Sequence, residues 1–214
     1  QVEWRGCTAF ASVLRYSFGG LHRLADYNLT PVLNALAKEI QKTDTENFTG
    51  SRALNFSKYR YTLDGFNLNR NNPFNTVLKK SVNGTIDRQQ IKAVLQIPRI
   101  IALNDLNNWM HLPYYRIIGS LGAVSDMVFS DTQYSALIPE IHGISEVKTG
   151  EWLSTESVTE AYELLLETDE SFALCRSNNA SLILCVGIEF AKLDFLGKPQ
   201  EVKYAGSAKV VMCG

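Results

Sequence analysis

The chain has 214 residues, of which 45% are hydrophobic and 20% are charged, and its formal net charge is −1 at pH 7. This apolar content excludes a disordered chain, and the length is sufficient for a hydrophobic core in one large domain or two small ones. The near-zero net charge argues against nucleic acid as a partner, because a phosphate backbone requires a clustered basic field, and no apolar run is long enough for a membrane span.

The first predicted elements are two amphipathic helices. Over residues 8–25 apolar side chains recur at steps of three and four, which is typical of one helix face, and the glycine pair at 19–20 predicts a break or a kink. A second helix is predicted over residues 30–44, because Thr30 can cap it and Pro31 suits the first helical position. The apolar faces, or stripes, of both helices must be buried against each other or against a partner. The stripe residues that could form such an interface are Phe10, Leu14, Phe18, Leu33, Leu36 and Ile40.

Beyond residue 54 the pattern changes to short apolar runs separated by Gly, Asn and Pro. These runs lie at 59–68, 77–86, 91–100, 114–121, 123–129, 146–153, 161–167, 181–190 and 202–212. Strand-like runs at this spacing, with no long helix between them, favour an antiparallel sandwich or barrel over βαβ units. We therefore predict a mainly β protein of the α+β class, with a helical pair over 1–50 and an antiparallel β-sandwich, Greek key being one option, over 51–214. The two parts are expected to form one continuous unit.

Two turns and one alternating segment refine this prediction. Asn83-Gly84 is either a tight hairpin turn or a bulge inside a longer strand whose turn lies at 87–90. Residues 196–199 predict the turn between the last two strands, and the strict alternation at 201–204 predicts a strand there.

The four cysteines lack a C-x-x-C pair and the chain has three histidines, so the spacing argues against a zinc site. Cys175 and Cys185 flank a plausible turn and could form a disulfide if the protein is exported; the alternative is that all the cysteines are buried thiols. No phosphate-binding glycine loop and no nucleophile elbow occurs in the sequence, and we predict no cofactor and no catalytic residue.

Aromatic residues near the middle of the chain are candidate ligand contacts. Trp109, Tyr114 and Tyr115, together with His111, could present ring faces to a sugar, while the alternative is that they pack in the core.

The segment VEWRGC at 2–7 resembles an E-(F/W)-x-G-C signature that stands before a helical stretch in uncharacterised proteins of Bacteroidota, the DUF6266-like family. DYNLT at 26–30, GFNLN at 65–69 and VGIEF at 186–190 resemble further motifs of that family. The resemblance implies no activity. It also implies an additional Gly-rich, strand-like segment ahead of this point and an EFYQEVNG continuation, where this chain has EFAKLD at 189–194. Because the chain begins at Gln1, we expect a cleavage product or part of a longer chain.

These observations favour a non-enzymatic structural subunit that self-associates into a filament, sheath or other surface or virion assembly. Its partners would be copies of itself, because an unpaired strand edge can accept a strand from a neighbouring subunit. Such a protein is expected outside the cell or at its surface, the cytoplasm being the alternative. One alternative function is a carbohydrate- or protein-binding sandwich module, and a second is a hydrolase of unrecognised type.

Overall fold

Residues 2–214, which the computed structural model describes, form an α+β fold in which strands (36%) outweigh helices (27%), as the sequence predicts. The α-helices are α1 (Val2–Tyr16), α2 (Thr30–Lys42), α3 (Phe56–Tyr59), α4 (Phe74–Val77) and α5 (Ala102–Asp105). Short 3-10 helices lie at Leu21–Leu24, Arg60–Leu63, Pro139–Ile141 and Glu170–Arg176. The strands are β1 (Asn83–Asp87), β2 (Lys92–Ile97), β3 (Ile100–Ile101), β4 (Tyr114–Ser125), β5 (Met127–Ser130), β6 (Gln133–Ala136), β7 (Ser145–Thr149), β8 (Leu153–Ser154), β9 (Val158–Thr159), β10 (Tyr162–Glu167), β11 (Ala180–Leu193), β12 (Pro199–Glu201) and β13 (Ser207–Cys213).

The main sheet is built on two long antiparallel strands, β4 and β11, which pair over twelve residues. The other side of β11 pairs with two short strands, β12 and β13, which lie end to end along it. The other side of β4 pairs in the same way with β7 and β8. The sheet of six strands is therefore only four positions wide.

The main sheet is covered on both faces. A second sheet in the order β1-β2-β10 packs on one face, and α1 and α2 pack on the other. Along β11, Leu182, Leu184 and Val186 enter the first core, while Ile183 and Cys185 enter the second. Successive side chains of a strand point to opposite faces, so a strand covered on both sides reads as a continuous apolar run.

The helical pair belongs to the second core, and its predicted role as an exposed interface is wrong. Phe10, Leu14, Phe18, Leu33 and Ile40 are buried and Leu36 is half-buried. Because α1, α2 and the main sheet cover these stripes within the subunit, five of the six side chains are not available to another subunit. The second core also contains residues of β4, β11 and β13, so the helical pair and the sandwich share one core.

The predicted break after the first helix is confirmed, although the helix begins and ends earlier than predicted. Gly19 and Gly20 adopt φ angles of 63° and 79°, a left-handed conformation that glycine enters without strain. The cap of α2 differs from the prediction, because the side chain of Asn28 accepts the N–H of Thr30 (3.0 Å). Pro31, predicted at the first helical position, is the second residue of α2, because the helix begins at Thr30.

Two predicted strands are absent from the described chain. Residues 59–68 form a 3-10 helix and a turn, and residues 202–204 form a turn in which Tyr204 has a φ of 63°. The runs at 114–121 and 123–129 continue one another through β4. Asn83-Gly84 lies inside β1 with the turn after Asp87, which is the second of the two alternatives, and residues 194–198 turn β11 into β12.

Candidate functional site

The β13 part of one margin of the main sheet is covered by the chain itself, while β12 on the same margin pairs, in the part of the chain that the structure describes, with β11 alone. Along the outer side of β13, the N–H of Leu68 donates to the carbonyl of Ala208 (2.9 Å), and the N–H of Val210 donates to the carbonyl of Phe66 (2.8 Å). The side chain of Asp64 accepts the N–H of Cys213 (2.7 Å). These hydrogen bonds use outward-facing backbone groups of β13 within the subunit.

The opposite margin is open. Within residues 2–214, β7 pairs with β4 alone and β10 pairs with β2 alone, and these two outer strands lie against each other. Both sheets of the sandwich therefore end on the same side of the molecule in a strand whose outer edge has no ladder partner. Unpaired edges of this kind are templates for another strand.

Hydrogen bonds at both ends of the β4–β7 ladder establish its phase, that is, which residues of β7 direct their backbone groups to β4 and which direct them outward. The N–H of Gly150 donates to the carbonyl of Ile117 (2.9 Å), and the N–H of Ala123 donates to the carbonyl of Ile144 (2.9 Å). Both bonds fall on the register that pairs β4 with β7. Hydrogen-bonded pairs alternate with non-hydrogen-bonded pairs along an antiparallel ladder, so every second residue of β7 bonds to β4.

This phase determines which backbone groups of β7 face outward. Glu146 and Lys148 direct their N–H and C=O groups to β4, and Ser145, Val147 and Thr149 direct theirs to the open side. Val147 is 39% exposed, Lys148 and Thr149 are exposed, and Glu146 is half-buried. We call residues 145–149 the open edge.

A second exposed feature is the turn between β11 and β12. Leu193, Phe195 and Leu196 are 46%, 94% and 65% exposed. The carboxylate of Asp194 accepts the N–H groups of Leu196 (2.8 Å) and Lys198 (2.9 Å), which fixes the turn. We call residues 193–196 the apolar turn, because it holds large apolar side chains in solvent on an ordered backbone.

A cavity of about 330 Å³ lies between α5, the loop before β4 and the turn after β8. His111 lines it with a φ of 51°, an uncommon conformation for a residue other than glycine, and Glu156 is also part of the lining. The amide of Asn108 and the hydroxyl of Thr155, also in the lining, both bond to Leu112. The imidazole and the carboxylate are therefore the side chains that could contact a ligand.

The predicted aromatic contacts do not come together at this cavity. Tyr115 is buried, and its hydroxyl lies 3.0 Å from the hydroxyl of Thr159, so it belongs to the core. Tyr114 is half-buried and, as its neighbour in the strand, points to the other face of the sheet. Trp109 packs half-buried against the first core. The three rings therefore form no common platform for a sugar.

The possible disulfide between Cys175 and Cys185 is absent, and the alternative that the cysteines are buried thiols is confirmed. Cys175 lies in the first core and Cys185 in the second, with the main sheet between them, and all four cysteines are free and buried. Burial raises the pKa of the Cys175 thiol to about 11 and that of Cys185 to about 12. Protonated thiols out of contact with solvent are inert, so these cysteines act as small apolar residues.

Sequence reasoning missed a buried ion cluster at the end of β11. Glu189 is fully buried, accepts a hydrogen bond from Arg116 (2.6 Å) on the paired strand β4, and also contacts Arg23. The guanidinium of Arg116 lies 4.2 Å from the ring centre of Trp152. The available signal was a glutamate within the apolar run of β11, because a buried acid requires a cationic partner.

No group of three or more His, Cys, Asp or Glu residues that could hold a metal ion occurs within residues 2–214. No helix in the same part of the chain has the length and apolar character to cross a membrane. No protein-family profile, curated protein or solved structure matches the chain.

Proposed function

We propose that this protein is a non-enzymatic structural subunit that self-associates. The observation that carries the proposal is that both sheets end on one side of the sandwich in neighbouring uncovered strands, β7 and β10, whereas the chain covers the outer side of β13 with its own residues. Among the described residues the outer sides of β1 and β12 also lack a ladder partner, but these two strands belong to different margins. A pairing strand from another copy would satisfy those groups and extend the sheet.

The apolar turn supplies a second contact. A two-fold contact between identical edges closes on itself as a dimer, so a filament or sheath requires at least one further interface. Phe195 and Leu196 are adjacent and largely exposed, so together they form a larger apolar patch than a single exposed side chain would. Burial of this patch against another copy would be favourable. The two features lie on different parts of the molecule, which is the arrangement that a growing assembly needs.

We expect the purified protein to form dimers or larger particles in sedimentation velocity experiments, with a weight-average mass that rises with concentration. Electron microscopy of the concentrated sample would distinguish closed dimers from filaments. Phe195→Ser is expected to shorten any filament without removing the dimer, because the apolar turn is separate from the open edge. A monomer of 23.9 kDa at every concentration would refute the proposal.

A binding module is the second candidate function, and the cavity at His111 favours it. Strained backbone conformations of non-glycine residues are enriched at ligand sites, and the cavity is of the size that small molecules occupy. With an imidazole and a carboxylate in the lining, the ligand class that fits is a small polyhydroxylated molecule such as a mono- or disaccharide.

The variant His111→Gly tests this second function. Glycine accepts the left-handed conformation without strain, so the variant is expected to keep the fold while losing the ring. Saturation-transfer NMR with a panel of simple sugars should show binding by the natural chain and none by the variant. The absence of binding by both proteins, or equal binding by both, would contradict the hypothesis.

A further inference from the structure

We propose that the open edge is the self-association site, and that β7 pairs antiparallel with β7 of a second copy around a two-fold axis through Val147. This inference rests on the proposed function and specifies its interface, register and symmetry. The two main sheets would join into one sheet that continues across the axis.

The phase of the ladder supports this register. Pairing centred on Val147 places Val147 opposite its own copy and Ser145 opposite Thr149 of the second copy. These are the residues whose N–H and C=O groups face outward, so each of the opposed pairs can exchange both backbone hydrogen bonds. A shift by one residue would instead oppose groups that are already bonded to β4.

The charges of the open edge complement each other in the same register. Glu146 of one copy lies opposite Lys148 of the second copy, and the two-fold axis repeats this pair. Both positions are non-hydrogen-bonded sites, where opposed side chains come closest. Neither residue takes part in an ion pair within residues 2–214, so both are available.

The neighbouring edge lacks this complementarity. An antiparallel pairing of β10 centred on Leu165 would place Glu163 opposite Glu167 of the second copy, and like charges opposite each other are unfavourable. The side chain of Val147, in contrast, lies on the helix-covered face near Gly19, where it would meet Val147 of the second copy. β-branched residues favour paired strands. Of the two neighbouring edges, β7 and β10, the open edge is therefore the one that fits a second copy of this chain.

Charge exchange tests the register. In Glu146→Lys each subunit carries two lysines on the open edge, and in Lys148→Glu each carries two glutamates, so either homodimer opposes like charges. We expect each variant to raise the dimer dissociation constant about tenfold, from two unfavourable cross-strand pairs. In an equimolar mixture every lysine faces a glutamate, and the mixture should recover the affinity of the natural chain. Sedimentation velocity measures the dissociation constants of the natural chain, the two variants and their mixture.

Val147→Pro is a second, independent variant. Proline removes the central outward N–H, which is not used within the subunit, and edge strands tolerate proline at such sites. We expect the monomer to remain folded by circular dichroism and the dimer to be lost. The Thr85→Lys variant, on the solvent face of β1, serves as a control that changes charge away from the open edge.

The outcomes separate this inference from the proposed function. A chain that is monomeric at every concentration refutes both. A chain that self-associates with an affinity unchanged by the charge variants, or whose mixture binds no more tightly than the variants alone, overturns the β7 register while the structural-subunit proposal stands.

Discussion

Replacing Gly122 by alanine is expected to destabilise the protein by about 4 kcal/mol, which is near the largest value common for a single substitution. Gly122 lies on β4 beneath the end of α1, and a Cβ there would overlap the carbonyl oxygen of Ser17 and lie 2.6 Å from its carbonyl carbon. The obstacle is backbone rather than a flexible side chain. Ser17 also bonds to Val13 (2.9 Å) and Leu14 (2.6 Å), so the chain there cannot retreat.

Gly119→Ala is the matched control for this prediction, because it adds the same methyl group to the same strand on the opposite face. There the new Cβ would meet side-chain methyl groups of Leu164 and Leu95 at 2.8 Å, and these can rotate away. Overpacking of that kind costs about 1 to 3 kcal/mol. Urea unfolding of both variants measures the difference. Equal destabilisation by the two substitutions would show that the close approach of α1 to the sheet is not what requires glycine.

Periodicity predicted most of the fold, and the failures have a physical cause. The long runs in β4 and β11 are unambiguous because both faces of these strands are buried. The run at 59–68 has a similar composition, yet it forms a 3-10 helix and a turn that lies across β13. Local propensity does not distinguish these cases, since the outcome depends on which surface the segment covers.

The sequence predicted the strand that forms the open edge, but it did not predict that this strand lies at a margin of the sheet. A strand was predicted over 146–153, but its place at a margin depends on the pairing order of distant segments, which one sequence does not reveal. The same limit explains the disulfide. The spacing of Cys175 and Cys185 suits a hairpin, but the first lies in a 3-10 helix and the second in the central strand, facing opposite cores.

The layered fold also explains why exposed interaction features are found at margins and turns. The helical pair covers one face of the main sheet and the second sheet covers the other, so neither face of β4 or β11 is left for a partner. The groups without a partner in the described chain are backbone N–H and C=O groups on the outer sides of the edge strands. Such groups favour an added strand as their partner. A fold of this kind therefore favours assembly by strand addition over docking through a broad apolar face.

A buried carboxylate ties the helical pair to the loop that follows it. Glu3 accepts two hydrogen bonds from Arg52 (2.7 and 2.8 Å), one from Lys38 (2.7 Å) and one from the N–H of Gly50 (2.9 Å). The hydrogen bonds from Arg52 are the largest cause holding the pKa of Glu3 well below its usual range, and Lys38 and Gly50 add to the effect. The folded state therefore binds the ionised carboxylate more favourably than the unfolded chain does.

We expect Glu3→Gln to destabilise the protein by about 2 to 3 kcal/mol at neutral pH, because it leaves two cations beside a neutral amide. This lies below the cost of breaking a fully buried pair, since Arg52 and Lys38 retain some access to water. Glu39→Gln, which alters an exposed ion pair with Lys42, is the matched control and should change stability little.

The pH dependence provides the sharper test of this network. Because the pKa of Glu3 is lower in the folded state than its ordinary value of 4.5, its contribution is complete above that pH and is lost as the pH falls toward the folded value. The difference in unfolding free energy between the natural chain and Glu3→Gln should therefore be constant at neutral pH and narrow steadily below pH 4.5. Urea unfolding of both proteins across this range measures it. A difference that does not change with pH would mean that Glu3 stabilises the fold through packing and neutral hydrogen bonds, and that its charge contributes nothing.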